Sequence, residues 1–291
     1  MILSPLTLRS ALLVGAVLLP MSFARAADPV QVVFQNGRAI AISSLALEAD
    51  KLVIKTPGSG FTAGQSFPLA SADHIYGGKP DPINSGVALL LTGKPAEALK
   101  LLEPVIAEQR ITAKIPGNFW LEAARAALVA YAVTGNTAKT AEIGKEISDA
   151  TPSQGIDPFV TLGKALLLPA STPVEDREVA LGDLTTDNLP ADLAAYASFY
   201  RGNLLNELKR DKDPAKALKQ TMAALEAYLM VPTLYPAGGM VLNGVAEAKA
   251  AEILVTLGRR EEAIALFNSS IRETGGTLVE ADSAKRLQEL K

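Results

Sequence analysis

From Ile83 onward the apolar positions recur at helical spacing. In residues 89–106, LLLTGKPAEALKLLEPVI, Ala98, Leu101, Leu102 and Val105 fall at i, i+3, i+4 and i+7, one face of a helix. Residues 254–271, LVTLGRREEAIALFNSSI, place Ala263, Leu266, Phe267 and Ser270 at the same offsets, and in both stretches a glycine, Gly93 or Gly258, stands five residues before the alanine. A third copy, NFWLEAARAALVAYAVTGNTAKTAEIGKEISDATP, has Gly135 in its loop, Tyr131 four residues earlier and Pro152 seventeen later. A fourth, AAYASFYRGNLLNELKRDKDPAKALKQTMAALEAYLMVP, turns through charged residues around Lys212 and again has Ala217 five residues on. Each copy predicts two helices joined by a short loop. The intervening stretch from Asp157 to Leu189 fits the spacing poorly and predicts an irregular hairpin whose helices are split near Pro169 and Pro173. Residues 279–291, with Val279, Leu287 and Leu290 among many charges, predict a solvated capping helix.

Residues 30–76 carry a different pattern. VQVVFQNGRAIAI alternates around Asn36-Gly37, a hairpin signal; KLVIKTPGSGFTAGQSFPL adds a strand, a Pro-Gly-Ser-Gly turn and an extended piece; ASADHIYG closes with a short strand. Four or five short strands make a sheet too small to stand alone, so it should curl into a barrel or lean on its neighbour. Tyr76-Gly77-Gly78-Lys79-Pro80-Asp81-Pro82 reads as an elbow before the helices.

The helical offsets resemble the tetratricopeptide repeat (TPR), a helix hairpin in which a small residue packs the two helices, an aromatic or Leu precedes the loop glycine and an Ala follows it. The small residue would be Gly86 in the first copy and Ala251 in the last, and the bulky one Leu89, Tyr131, Leu208 and Leu254 in turn. Loop-to-loop distances of 42 (Gly93 to Gly135) and 46 (Lys212 to Gly258) exceed the family's spacing of about 34, so the resemblance implies a degenerate array. The strand and turn order of the first part resembles small SH3-like or Sm-like barrels. The expected fold is therefore mainly α: a TPR-like α-hairpin solenoid of about five hairpins (residues 79–291), preceded by a small β-barrel-like module (residues 27–78).

The first residues carry Arg9, an apolar stretch from Ala11 to Phe23, and the triplet Ala24-Arg25-Ala26, the layout of a signal peptide over residues 1–26 cleaved before Ala27. That apolar run, about 13 residues, is short of the roughly 20 needed to span a bilayer. No later segment is apolar for long enough, so no membrane insertion is expected after cleavage, and the protein should be periplasmic or secreted. It has no cysteine, so an exported form relies on packing rather than disulfides, which suits a bacterial envelope. Removing residues 1–26 takes away Arg9 and Arg25, leaving 26 basic residues against 31 acidic ones, a net charge of −5. An Sm-like module raises the question of RNA, but Arg38, Lys51 and Lys55 balance Glu48, Asp50 and Asp73, and neither module nor chain offers the basic footprint nucleic acid needs.

A single His and no Cys exclude Cys/His nucleophiles, multi-His metal sites and zinc–thiolate clusters. His74 belongs to no motif, and Asp73 should point to the opposite face of an extended strand. Gly58, Gly60 and Gly64 lack the spacing and the following helix of a phosphate loop. Acid pairs such as Glu261 with Glu262, or Asp176 with Glu178, lie at helix starts, where carboxylates are favoured by the dipole. Trp120 opens a helix and reads as core. No catalytic residue, metal site or cofactor is expected.

Hairpin arrays bind partners through the first helix of each pair. The resemblance places Arg125 and Asn206 at positions of the kind that grip a chain-end carboxylate, without the full set. Tyr196, Tyr200, Arg201, Asn203 and Asn206 form the richest polar and aromatic stripe on any first helix. The expected function is a non-enzymatic exported scaffold or adaptor that holds a protein or peptide partner in the cell envelope. Two alternatives are a helical envelope hydrolase or polysaccharide-acting enzyme that uses the leftover carboxylates, and a self-assembling envelope component.

Overall fold

The computed structural model describes residues 28–151, 155–186 and 188–290; the expected signal peptide and Pro152 lie outside them. Among the described residues six short strands precede eleven helices. The strands are β1 (Gln31–Phe34), β2 (Ala39–Ala41), β3 (Leu45–Glu48), β4 (Lys51–Ile54), β5 (Ser66–Pro68) and β6 (Ala72–Tyr76). The Asn36-Gly37 hairpin forms as expected: Gly37 adopts φ 77°, and the Phe34 N–H donates to the Arg38 carbonyl at 2.8 Å. β3, which the alternation did not single out, pairs with β4 from Leu45–Ile54 to Glu48–Lys51.

The strands make two three-stranded antiparallel sheets, ordered β2-β1-β6 and β3-β4-β5, and they do not close into a barrel. Short 3₁₀ turns at Ile42–Ser44 and Leu69–Ser71 carry the chain round the corners between β2 and β3 and between β5 and β6, so the sheets face each other without a continuous ladder. Val32, Phe34, Ile40, Leu52, Ile54 and Phe61 are buried between them, with the rings of Phe34, Phe61 and Phe67 in mutual contact. A sheet of this size gains stability by leaning on a neighbour. Here Ile115 completes its core, and the Ile75 N–H donates to the Pro116 carbonyl at 3.0 Å.

The helices are α1 (Asp81–Leu91), α2 (Pro95–Gln109), α3 (Trp120–Val133), α4 (Thr137–Ala150), α5 (Pro158–Leu166), α6 (Val174–Gly182), α7 (Ala191–Glu207), α8 (Pro214–Leu234), α9 (Met240–Thr256), α10 (Arg260–Glu273) and α11 (Leu278–Glu289). They pair as five hairpins, α1 with α2 through α9 with α10, and α11 packs on α10. The irregular hairpin is α5 and α6, interrupted where Pro169 and Pro173 lie.

The recurrent glycines end α1, α3 and α9. Gly93, Gly135 and Gly258 take φ of 82°, 74° and 75°, a conformation that costs an L side chain energy, and the next residue's N–H reaches back to Leu89, Tyr131 and Leu254 at 2.8 to 2.9 Å. The bulky residue four before each glycine is thus the one whose carbonyl closes the turn. At Gly86 the constraint is space: a β-carbon there would lie 2.8 Å from the buried Leu102 side chain of α2. Ala98, Ala251 and Ala263 are fully buried at the corresponding crossings.

The array bends back on itself. The first helices pack in succession, α1 on α3, α3 on α5, α5 on α7 and α7 on α9, and α1 also packs on α9 and α11. α3, α7 and α9 are consequently buried on nearly every side, whereas α4 and α10 bury one face. Trp120, at the start of α3, is a core residue, as expected.

Candidate functional site

The five first helices line an open cavity of about 620 Å³, most of them through their N-terminal parts. Asn84 and Val87 come from α1, Leu121, Glu122 and Arg125 from α3, Phe159 from α5, Asp192 and Tyr196 from α7, and Met240, Val241 and Leu242 from α9. Lys79 and Asn118 precede α1 and α3, and Arg272 and Glu273 enter from the end of α10. Helix N-termini converging in one sense bring the positive ends of their dipoles to one place.

Most of that positive potential is answered from within. Asn118 Oδ1 accepts from the Leu121 N–H at 2.9 Å, Asp157 Oδ1 from Phe159 at 2.9 Å, and Asp192 Oδ1 from Leu193 at 2.9 Å, serving the starts of α3, α5 and α7. The charged side chains pair as well. Lys79 Nζ lies 2.8 Å from Glu122 Oε1. Arg125 sits at the centre: Nη2 donates to Asp157 Oδ2 at 2.7 Å, Nη1 donates to Asp192 Oδ2 at 2.9 Å, and the guanidinium lies 4.5 Å from the Phe159 ring centroid. Asp157 is fully buried, which explains why it needs both a cation and a backbone donor.

The expected partner-binding residues fall into two groups. Arg125 and Tyr196 line the cavity. Tyr196 is 7% exposed, stacks edge-on against Phe159, and its hydroxyl has no hydrogen-bond partner among the described residues. Burial pushes its phenol up, and the cavity carboxylates Glu122 and Asp192 push it further, so it remains a hydroxyl donor.

The other four do not reach the cavity. Tyr200 is buried against Phe199 with its hydroxyl enclosed; Arg201 Nη2 binds Glu178 of α6 at 2.6 Å; Asn203 Oδ1 accepts from Tyr228 at 2.7 Å; and Asn206 Oδ1 accepts from Arg210 at 3.1 Å. The polar stripe of α7 binds its neighbours in the chain, α6, α8 and the loop that follows α7. Asp157, Asp192, Glu122 and Lys79 were not singled out in the sequence. Asp157-Pro158 does carry a legible signal, an N-cap followed by proline at the first helical position.

Asp73 and His74 do not point apart, contrary to expectation. Val33 pairs with His74 and Phe34 with Ala72, so Asp73 is the extra residue of a β-bulge, and its carboxylate meets His74 Nδ1 at 2.8 Å on the exposed side. Among the described residues no group of three or more His, Asp or Glu side chains stands as a metal site requires, and no helix is long and apolar enough to cross a membrane.

The fold and cavity define a mainly α-helical hairpin array with a small antiparallel β unit at its N-terminal side. Compared with protein-family models, curated proteins and solved structures, the chain matches none.

Proposed function

We propose that the protein is a non-enzymatic exported scaffold, and that it holds a protein or peptide partner of the cell envelope by a segment entering the cavity between the first helices. The observation that carries this reading is the convergence of the five first helices on one cavity whose walls mix charge with aromatic surface. Its pairs, Lys79 with Glu122 and Arg125 with Asp157 and Asp192, hold side chains in fixed positions, which favours recognition over proton transfer. Periplasmic or secreted location, and the TPR-like character of the hairpins, belong to the same reading and rest on the sequence pattern.

The test is site-specific photo-crosslinking in envelope fractions. A crosslinker at Asn84, exposed on the cavity wall, should yield a polypeptide adduct, while one at Met222, exposed on α8 outside the cavity, should not. Absence of an adduct at Asn84, or the same adducts from both positions, overturns the reading.

A further inference from the structure

We propose that the cavity receives an anionic group of its ligand, a carboxylate or phosphate, at the N-terminus of α9, with the Tyr196 hydroxyl and Arg272 as side-chain donors. This rests on reading the cavity as the binding site and adds the chemistry of what enters it.

Besides Arg125 Nε, which is buried without an acceptor, three sets of donors at the cavity lack one. The first is backbone. α3, α5 and α7 receive a side-chain acceptor at their starts, and α1 has Asp81 in its first turn, but α9 has neither a cap nor an acid. Its N-cap, Gly239, adopts φ 97°, and the N–H groups of Met240, Val241 and Leu242 meet no acceptor among the described residues, although all three residues line the cavity. The second is Tyr196, more than nine-tenths buried and without a partner. It lines the same cavity as Gly238, Gly239 and Met240, and α7 reaches α9's entry at the preceding Ala195, where a β-carbon on Gly238 would lie 2.5 Å away. The third is Arg272, which makes one hydrogen bond, from Nη1 to the Asn268 carbonyl at 3.2 Å, and no ion pair among the described residues.

A ligand that satisfies donors of all three kinds must bring several acceptor oxygens to one place, which a carboxylate or phosphate does and an ammonium cannot, while a lone amide or hydroxyl offers a single oxygen and no charge for Arg272. Lys79 offsets Glu122, but Arg125 is shared between Asp157 and Asp192, so one carboxylate charge of that trio stays uncompensated and opposes the anion, with Arg272 as the cation left to balance it. Glu273, beside Arg272, is the lining acid without an ion-pair partner among the described residues, and it sets a limit on affinity.

The experiment is amide NMR of the whole protein titrated with sodium phosphate, with sodium acetate and with sodium chloride at matched ionic strength. We expect saturable shifts at Met240 and Val241 with phosphate or acetate and none with chloride; saturation by phosphate alone identifies a phosphate-bearing ligand, and by acetate alone a carboxylate. Tyr196→Phe and Arg272→Gln should each weaken binding by about tenfold, and Glu273→Gln should tighten it. No saturable shift, an equal response to chloride, or wild-type binding by both donor variants overturns the proposal. Crosslinks at Asn84 without an anion response remove the anion site and leave the scaffold reading. An anion response without polypeptide adducts does the reverse.

Discussion

Arg125 holds two carboxylates that differ chiefly in burial, and replacing each by its amide separates their contributions. Asp157 is fully buried and uses both oxygens, Oδ1 for the Phe159 N–H and Oδ2 for Arg125. An asparagine there can keep the cap or the guanidinium contact but not both, because the amide nitrogen would meet one donor with another. Removing one partner of a buried pair costs about 3–5 kcal/mol, and the lower end applies because Asp192 retains the other nitrogen at 2.9 Å. Asp192 has a side chain 33% exposed, so water screens its pairing, and Asp192→Asn should cost only about 1 kcal/mol. In urea unfolding followed by circular dichroism, with a slope of about 3 kcal/mol/M, Asp157→Asn should lower the midpoint by about 1 M and Asp192→Asn by about 0.3 M. Equal shifts, or a larger one for Asp192→Asn, would show that burial does not set the worth of the Arg125 contacts, and the account of the cavity wall would fail.

Gly135→Ala tests the loop glycines. A β-carbon there meets no atom within 4 Å, so only the left-handed backbone opposes it, and the loss should be about 1 kcal/mol in the same unfolding assay; an unchanged midpoint would refute the backbone argument. Glu247 of α9 gives the pH test. Its carboxyl is raised chiefly by burial, with Glu273 adding to the rise while the Ser269 hydroxyl and Arg272 oppose it. The folded value lies above the unfolded one, so its contribution is fully present below the unfolded carboxyl range, about pH 4.3, and is lost as pH rises through the folded value. Glu247→Gln should therefore raise the urea midpoint at pH 7 and lose that advantage below about pH 4; a gain that persists in acid, or none at pH 7, contradicts the burial argument.

The hairpins were legible because their determinants are local. Gly93, Gly135 and Gly258 mark where α1, α3 and α9 end, and the Leu or Tyr four residues earlier supplies the carbonyl that closes each turn, so spacing and hydrogen bonding are one fact. The break at Pro169 and Pro173 and the burial of Ala98 and Ala263 follow from equally short-range geometry. The two sheets were partly legible: the hairpin at Asn36-Gly37 was, but β3, and the bulge that turns Asp73 toward His74, depend on pairing with residues elsewhere in the chain. Contact between α1 and α9 is less legible still, since it joins segments more than 140 residues apart and depends on the rotation accumulated at every intervening hairpin.

Packing against neighbouring helices decides which residues are free to act. Tyr196, Tyr200, Arg201, Asn203 and Asn206 share one helix, but α6 and α8 pack against it, so Arg201 and Asn203 find partners there, Tyr200 is enclosed, and Tyr196, one turn from Tyr200, faces the cavity. Pairing likewise engages Arg125, a residue the sequence singled out, and Lys79, which it did not, with carboxylates distant in sequence. What stays unanswered at the cavity is largely main chain: the N–H groups of Met240, Val241 and Leu242, behind a glycine start that provides no cap. Every residue but proline carries such a group, so residue identity cannot advertise it. The clue left in the sequence is the missing cap before Met240, a signal that gains meaning only once the fold brings Tyr196 and Arg272 to the same cavity.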